Sequence, residues 1–259
     1  MTIDLEQHLR QRRDGGRKLL VVYLTGGLNN DWLDLILSCV DSGVDAIEIG
    51  VPFSDPMIDG VAIQKASQRA LEQGANPLQI MKDLHQLDVP VPLVAMTYFN
   101  LFHHSGLERV AGWLVDGGIS GVIIPDLPLE ESTPWRDVAR PQGIATVQLV
   151  APSTPQDRAE VLCRESEGFV YGIGLMGTTG ERASLADTAR LVGPRLKALT
   201  TKPVLVGIGI SNPDQAAEAA SDSDGVIVGS AIVRRVLDGA GPREIGAFVA
   251  GLRTALDGR

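Results

Sequence analysis

Apolar residues in this chain fall in short β-rich runs, and each run gives way to a longer segment with helical spacing. Eight runs are predicted as strands: Leu19–Leu24, Ala46–Gly50, Pro92–Thr97, Gly121–Pro125, Ala145–Val150, Gly168–Ile173, Pro203–Gly207 and Gly225–Gly229. Most lack apolar–polar alternation, as expected of strands buried on both faces. The intervening pattern predicts helices over Asp31–Ser42, Val61–Gln73, Leu107–Asp116, Pro155–Cys163, Leu185–Leu199 and Asn212–Ala220. Ser153-Thr154-Pro155 and Ser211-Asn212-Pro213 each put a capping side chain just before a proline near the first turn. An extra helix fits around Pro77–Gln86, and another over Pro242–Leu256 closes the chain. No linker, low-complexity segment or run of like charge divides it. The pattern therefore predicts an α/β fold: a single-domain (β/α)8 TIM barrel with extra helices, residues 1–259, with its active site at the C-terminal ends of the strands. A doubly wound open sheet also alternates strand and helix, but it usually needs fewer strands at this length. No Gly-x-Gly-x-x-Gly follows the first strand.

Composition narrows the function. A formal net charge of −9 argues against nucleic acid, whose phosphates require a basic footprint, and against anionic membrane surfaces. An anionic substrate would need a local device to overcome that field. Cys39 and Cys163 lie in helix-like stretches without metal spacing and read as reduced core thiols. The N-terminal stretch is polar and amphipathic rather than a signal peptide, and no run reaches the roughly 20 apolar residues of a membrane span. The expectation is a soluble, cytoplasmic protein.

Chemistry is then sought just after each strand. Glu48 is an ionisable residue inside an apolar run, and a carboxyl pointing into a barrel mouth would have its pKa raised towards the general acid/base range. A structural Glu paired with backbone or Arg is the alternative. Asp55 and Asp59 follow in a loop broken by Pro52, Pro56 and Gly60, where either could serve a turn or a cap. These carboxylates lack a supporting ligand for Mg²⁺, so no metal is expected. Gly207-Ile-Gly-Ile-Ser211 and Gly229-Ser-Ala-Ile232 are Gly-rich turns opening helices, which present backbone N–H groups to a phosphate. Tight turns alone would also explain them. Leu175–Arg182 is rich in Gly and Thr, as a mobile lid or an ordinary flexible loop would be. None of the five lysines falls on the C-terminal half of a strand, which disfavours a Schiff-base aldolase. His8 and His85 are expected on solvated helix faces, and His103 and His104 in the loop after the third strand.

Glu48-Ile-Gly-Val-Pro-Phe-Ser-Asp-Pro-Met-Ile-Asp-Gly-Val-Ala-Ile-Gln64 resembles the tryptophan synthase alpha chain family. Tyr98-Phe-Asn100, Pro125-Asp-Leu-Pro-Leu-Glu-Glu131, Gly177-Thr-Thr-Gly180, Gly207–Ser211 and Gly229-Ser-Ala-Ile-Val233 extend the match in the right order. The resemblance implies a lyase that cleaves indole-3-glycerol phosphate to indole and glyceraldehyde 3-phosphate late in L-tryptophan biosynthesis. It implies catalytic roles for Glu48 and Asp59. Tyr23, Met96, Tyr98, Ile123 and Leu149 would wall an indole slot, with Tyr171 near the glycerol portion and Thr179 the lid threonine organising Asp59. Gly180, Gly209, Gly229 and Ser230 match phosphate-binding positions. No cofactor is implied on this chain; pyridoxal phosphate belongs to a beta-chain partner in an expected alpha2-beta2 complex.

Three departures stand out. Thr25-Gly-Gly-Leu-Asn-Asn30 lacks the proline usual after the first strand, which puts affinity for the beta chain in doubt more than chemistry. The lid has Gly-Thr-Thr-Gly where Gly-Val-Thr-Gly is usual, and Phe169 stands where a tyrosine can occur. A stand-alone lyase releasing free indole, or a non-catalytic activator of the beta chain, would share these motifs. All three tyrosines, Tyr23, Tyr98 and Tyr171, are expected at the C-terminal ends of strands, around a flat substrate.

Overall fold

Every residue of strand β1 (Leu19–Thr25) is buried, and the same holds for β2 (Ala46–Gly50) and β4 (Ile119–Ile123). With β3 (Leu93–Met96), β5 (Ala145–Val150), β6 (Val170–Ile173), β7 (Val204–Gly207) and β8 (Gly225–Val228) they pair in parallel in chain order. Strand β8 returns to β1, closing the barrel. The structure is a computed structural model that describes residues 3–174, 185–207 and 209–258.

Strand parity explains why the runs do not alternate. Leu19, Val21, Ala46, Val94, Ile123, Val147, Leu205 and Ile227 face inward and pack together inside the barrel. Their neighbours Leu20, Val22, Ile47, Ala95, Val122, Val170, Val206 and Val228 belong to a second cluster shared with the helices. Both faces of the sheet are dry, so both parities are apolar.

The outer layer holds α2 (Trp32–Asp41), α3 (Val61–Glu72), α4 (Pro77–Leu84), α5 (Phe99–Ser105), α6 (Leu107–Asp116), α7 (Thr133–Ala139), α8 (Gln156–Glu165), α9 (Leu185–Lys197), α10 (Pro213–Ser221), α11 (Ser230–Leu237) and α12 (Pro242–Asp257). Helix α1 (Leu5–Asp14) does something different: Leu5 and Leu9 join the inner cluster. A Cβ added at Gly121, near the start of β4, would stand 2.7 Å from Leu5 Cδ2. Helix α1 therefore stoppers the end where strands begin, and the opposite end remains the mouth.

Beneath that stopper, fully buried Asp45 accepts from the Leu20 N–H at 2.8 Å. It also pairs with Arg17 at 2.8 Å and with Arg253 of α12 at 3.2 Å. One carboxylate thus ties the starts of β1 and β2 to the last helix.

Several expectations need correction. Helix α1 carries His8, as expected; helices α5, α7 and α11 are additional to those predicted, and His103 and His104 lie on α5 rather than in a loop. Helices α5 and α7 have only seven residues each, too few for a period to emerge; their packing stabilises them. Helix α8 starts after Pro155 without a side-chain cap, because Thr154 Oγ1 accepts instead from the Ala151 N–H at 3.1 Å. Asn212 does cap α10, accepting from the Gln215 N–H at 2.9 Å. His8 is half-buried rather than solvated, its Nε2 has no hydrogen-bond partner, and burial pulls its pKa down. Strand β4 begins two residues before its predicted start. Cys39 and Cys163 are free and buried on α2 and α8.

The loop after β1 packs without its proline: Leu28 is buried, Gly26 donates to the Gly50 carbonyl at 2.9 Å, and Gly27 adopts φ +70° with Ala75 directly against it. Among the described residues no helix is long and apolar enough to cross a membrane.

Candidate active site

Ala46, Glu48 and Gly50 are the inward positions of β2, so Glu48 projects into the barrel between two of the smallest residues. It lies in register with Tyr23 on β1 and Val94 on β3. Glu48 is 1% exposed, and its Oε2 has no hydrogen-bond partner. Burial, with the nearby Asp59 charge adding to it, pushes its pKa up to about 8. Such a carboxyl carries a proton at neutral pH and can give it away.

Asp59 approaches from the loop between β2 and α3. That loop is shaped by turns in which Met57 N–H donates to Asp55 O at 2.8 Å and Asp59 N–H to Pro56 O at 3.2 Å. Gln64, on α3, donates to the Asp59 carbonyl at 2.8 Å. Burial raises the Asp59 carboxyl to about 6, while a hydrogen bond from Tyr98 pulls the other way. The Tyr98 hydroxyl donates to Asp59 Oδ2 at 3.2 Å and accepts from the Ile58 N–H at 3.1 Å. Its ring stacks on Phe53, centroids 5.0 Å apart. The two carboxyls therefore differ: one is sealed with its Oε2 unpartnered, the other tethered and partly open.

Around them stand the remaining predicted residues. Tyr23 is buried and its hydroxyl pKa rises with that burial and with the charges of Asp59 and Glu48. Tyr171, on β6, is raised for the same reasons and also faces Tyr23. Met96, Ile123 and Leu149 occupy inward positions of β3, β4 and β5; Ile123 is fully buried, whereas Met96 and Leu149 retain exposure. The tyrosines are less terminal than expected. Tyr171 is the second residue of β6, Tyr23 the fifth of β1, and Tyr98 lies beyond β3 as the N-cap of α5.

The two glycine turns are not equivalent. Gly229 and Ser230 open α11 with no side-chain cap, so the first amides of this helix stay free of intrahelical acceptors. Gly209 takes φ +85°, but α10 behind it is closed on itself. Its Asn212 caps the first turn, and Gln215 Oε1 accepts from both the N–H and Oγ of Ser211 at 2.9 and 2.8 Å. Thr179, Gly180 and the predicted lid lie outside the described residues.

Sequence reasoning missed Phe53 as the platform under Tyr98, and it read Tyr98 only as a wall. The adjacency of Tyr98 to Asp59 spans 39 residues and depends on β2–β3 register, which no local pattern reports. Among the described residues no three His, Cys, Asp or Glu side chains form a metal-binding group. A separate cavity of about 240 Å³, lined by Asp126, Ser132, Thr146, Gln148 and Arg158 among others, sits between β5 and the helices and does not include the carboxyl pair.

A family model described as tryptophan synthase alpha chain matches residues 9–247. The tryptophan synthase alpha chain of Streptomyces coelicolor is 39% identical, with 98% of this chain and 97% of that one covered. That of Methanocaldococcus jannaschii is 36% identical, covering 91% and 85%. Among solved structures, tryptophan synthase subunit alpha from Legionella pneumophila superposes over the full length of both chains with a TM-score of 0.89 and 29% identity. A Mycobacterium tuberculosis tryptophan synthase structure gives 0.89 at 32% identity over 99% of each chain. A barrel of this topology and matches of this extent place the chain in the tryptophan synthase alpha chain family.

Proposed function

We propose that this chain cleaves indole-3-glycerol phosphate to indole and glyceraldehyde 3-phosphate, with Glu48 and Asp59 as its catalytic residues. Family membership makes it a lyase of tryptophan biosynthesis. The observation that carries the finer reading is the unlike pair of carboxyls at the barrel mouth, one buried with an unpartnered Oε2 and pushed up to about 8, the other hydrogen-bonded to Tyr98 and near 6. Pairs whose pKa values are driven apart divide acid and base roles.

The cleavage is a retro-aldol reaction. Protonated Glu48 gives its proton to indole C3, creating an indolenine cation. Ionised Asp59 accepts the indole N–H and stabilises that positive charge. Glu48, now a carboxylate, takes the proton of the side-chain hydroxyl. The C–O bond becomes a carbonyl, and the electron pair of the breaking C–C bond returns to the indole ring. Tyr23, Met96, Tyr98, Ile123 and Leu149 hold the ring, and Tyr171 borders the glycerol chain. The free amides at Gly229 and Ser230 receive the phosphate, which explains how a chain of net charge −9 binds an anion. Gly209, Gly180 and Thr179 complete the phosphate and lid positions by family resemblance. The chain needs no cofactor of its own.

The partner is a tryptophan synthase beta chain carrying pyridoxal phosphate. Supporting this, Met57 is 88% exposed, and Ile58 and Val61 are exposed beside it, so an apolar lip borders Asp59. Solvent-facing apolar patches of this kind mark interaction sites. Indole formation by the purified chain, alone and with beta chain, tests the reading. A rise on adding beta chain is expected; fast release of free indole without that rise would favour a stand-alone lyase, and no indole in either case would overturn the activity.

A further inference from the structure

Tyr98 has a backbone fixed on both sides. Thr97 N–H donates to Ile123 O at 3.1 Å, and Phe99 N–H donates to Asp126 Oδ1 at 2.8 Å. Its ring is held from below by Phe53. Its hydroxyl oxygen receives the Ile58 N–H, which leaves the hydroxyl hydrogen directed to Asp59 Oδ2 at 3.2 Å. A donor aimed at a carboxyl favours the ionised form of that carboxyl. The buried Oε2 of Glu48 has no such donor.

We propose that Tyr98 is a positioning residue that favours the ionised form of Asp59 and so widens the difference between the two carboxyls that burial sets up. By clamping Ile58 and Asp59 to the end of β3, it holds the acceptor where the indole N–H must arrive and favours its charged form, while burial keeps the starting proton on Glu48. Among the described residues, the titratable groups facing Asp59 are Glu48 from β2, Tyr23 from β1, Tyr171 from β6 and Tyr98 itself, none of them a cation, and the Tyr98 hydroxyl is the donor among them whose bond to Asp59 favours its charge. This inference rests on the carboxyl-pair reading above.

Tyr98→Phe keeps the ring and its stacking and removes only the hydroxyl. Its kcat for indole formation should fall roughly 10- to 100-fold, the scale of a hydrogen bond to a charged group, while KM stays within about two-fold. The acid limb of the kcat profile should move up by about one pH unit, because Asp59 now ionises later. An unchanged acid limb, or an effect confined to KM, would reduce Tyr98 to a wall of the slot and overturn the proposal. A carbon-detected NMR titration of the Asp59 carboxyl in ligand-free wild type and Tyr98→Phe gives a readout that needs no turnover. A higher Asp59 midpoint in the variant supports the positioning role even if indole-3-glycerol phosphate proves not to be the substrate; identical midpoints would overturn it.

Discussion

Tyr23 occupies the space that a side chain on Gly50 would need. A Cβ at Gly50 would stand 2.7 Å from Tyr23 Cε2 and closer still to the hydroxyl. Gly50 is the inward residue of β2 beyond Glu48, and Tyr23 is in register with Glu48 on the adjacent strand. The ring therefore leans one step along the neighbouring strand, towards the mouth. The arrangement recurs across the barrel: a Cβ at Gly207 on β7 would stand 2.6 Å from Cε2 of Tyr171 on β6. Two phenols and two glycines fit together on opposite sides of the carboxyl pair.

Gly50→Ala should consequently cost about 1–3 kcal/mol of stability, the usual scale of overpacking, and should lower kcat/KM by displacing Tyr23. Adding Tyr23→Val should restore much of the lost stability. A double-mutant cycle in urea checks this. Strictly additive losses would mean that ring and glycine do not compete for space.

Glu48→Gln should leave substrate binding intact and abolish cleavage, since the amide can neither give nor take the proton. It should also stabilise the protein in a pH-dependent way. Glu48 has a pKa of about 8 in the folded chain against an ordinary value of 4.5. Between those values the folded state binds the extra proton, so wild-type stability falls as pH rises through that window. Glutamine removes the dependence. The stability advantage of Glu48→Gln should be absent near about pH 4 and grow to a plateau above about pH 8. Urea midpoints across that range provide the check, and a constant difference at all pH values would contradict a buried, protonated Glu48.

Glu48 is legible in the sequence because a carboxyl inside an apolar strand run has few bland explanations. The barrel is legible because its strands are buried on both sides and read as unbroken apolar segments. The stopper role of helix α1 is not, since Leu5 and Leu9 are two apolar positions in a polar stretch, and only the barrel floor gives them something to bury against. The Tyr98–Asp59 bond is illegible for a related reason: it joins two loops whose meeting depends on strand register. The unequal glycine turns show the same limit. Both read alike until Gln215 is seen folding back onto Ser211.

Asp45 offers a test of structure separate from chemistry. It is fully buried at the closed end of the barrel, with Arg17, Arg253 and the Leu20 N–H as partners. Asp45→Asn removes the charge and leaves Arg253, itself largely buried, with only the exposed Asp257 of its own helix, 2.7 Å away, as a counterion. Breaking a buried pair from one side costs about 3–5 kcal/mol. The urea midpoint should drop accordingly with an unchanged m-value. The folded fraction should turn over at the wild-type rate, because Asp45 lies at the opposite end from Glu48; a kcat defect in fully folded protein would contradict that separation.

Gly229 separates phosphate binding from catalysis. Its φ of −117° is negative, so a substitution there does not have to enter the left-handed region that Gly209 occupies. A side chain would instead intrude at the start of α11, where free amides await an anion, and would press on Tyr23, whose Cβ lies 3.2 Å from the added atom. Gly229→Val should raise KM about 10-fold or more, the loss expected when a charge-assisted hydrogen bond to the phosphate is weakened, with kcat changed by less than about three-fold. Competition by glycerol phosphate should weaken in parallel, since that ligand shares only the phosphate end. Gly209 is a different case: at φ +85° any side chain is strained, so Gly209→Val should lose stability as well as affinity. Steady-state kinetics on both variants, with unfolding midpoints alongside, distinguishes the two turns. A Gly229→Val enzyme with normal KM and depressed kcat would place the phosphate elsewhere.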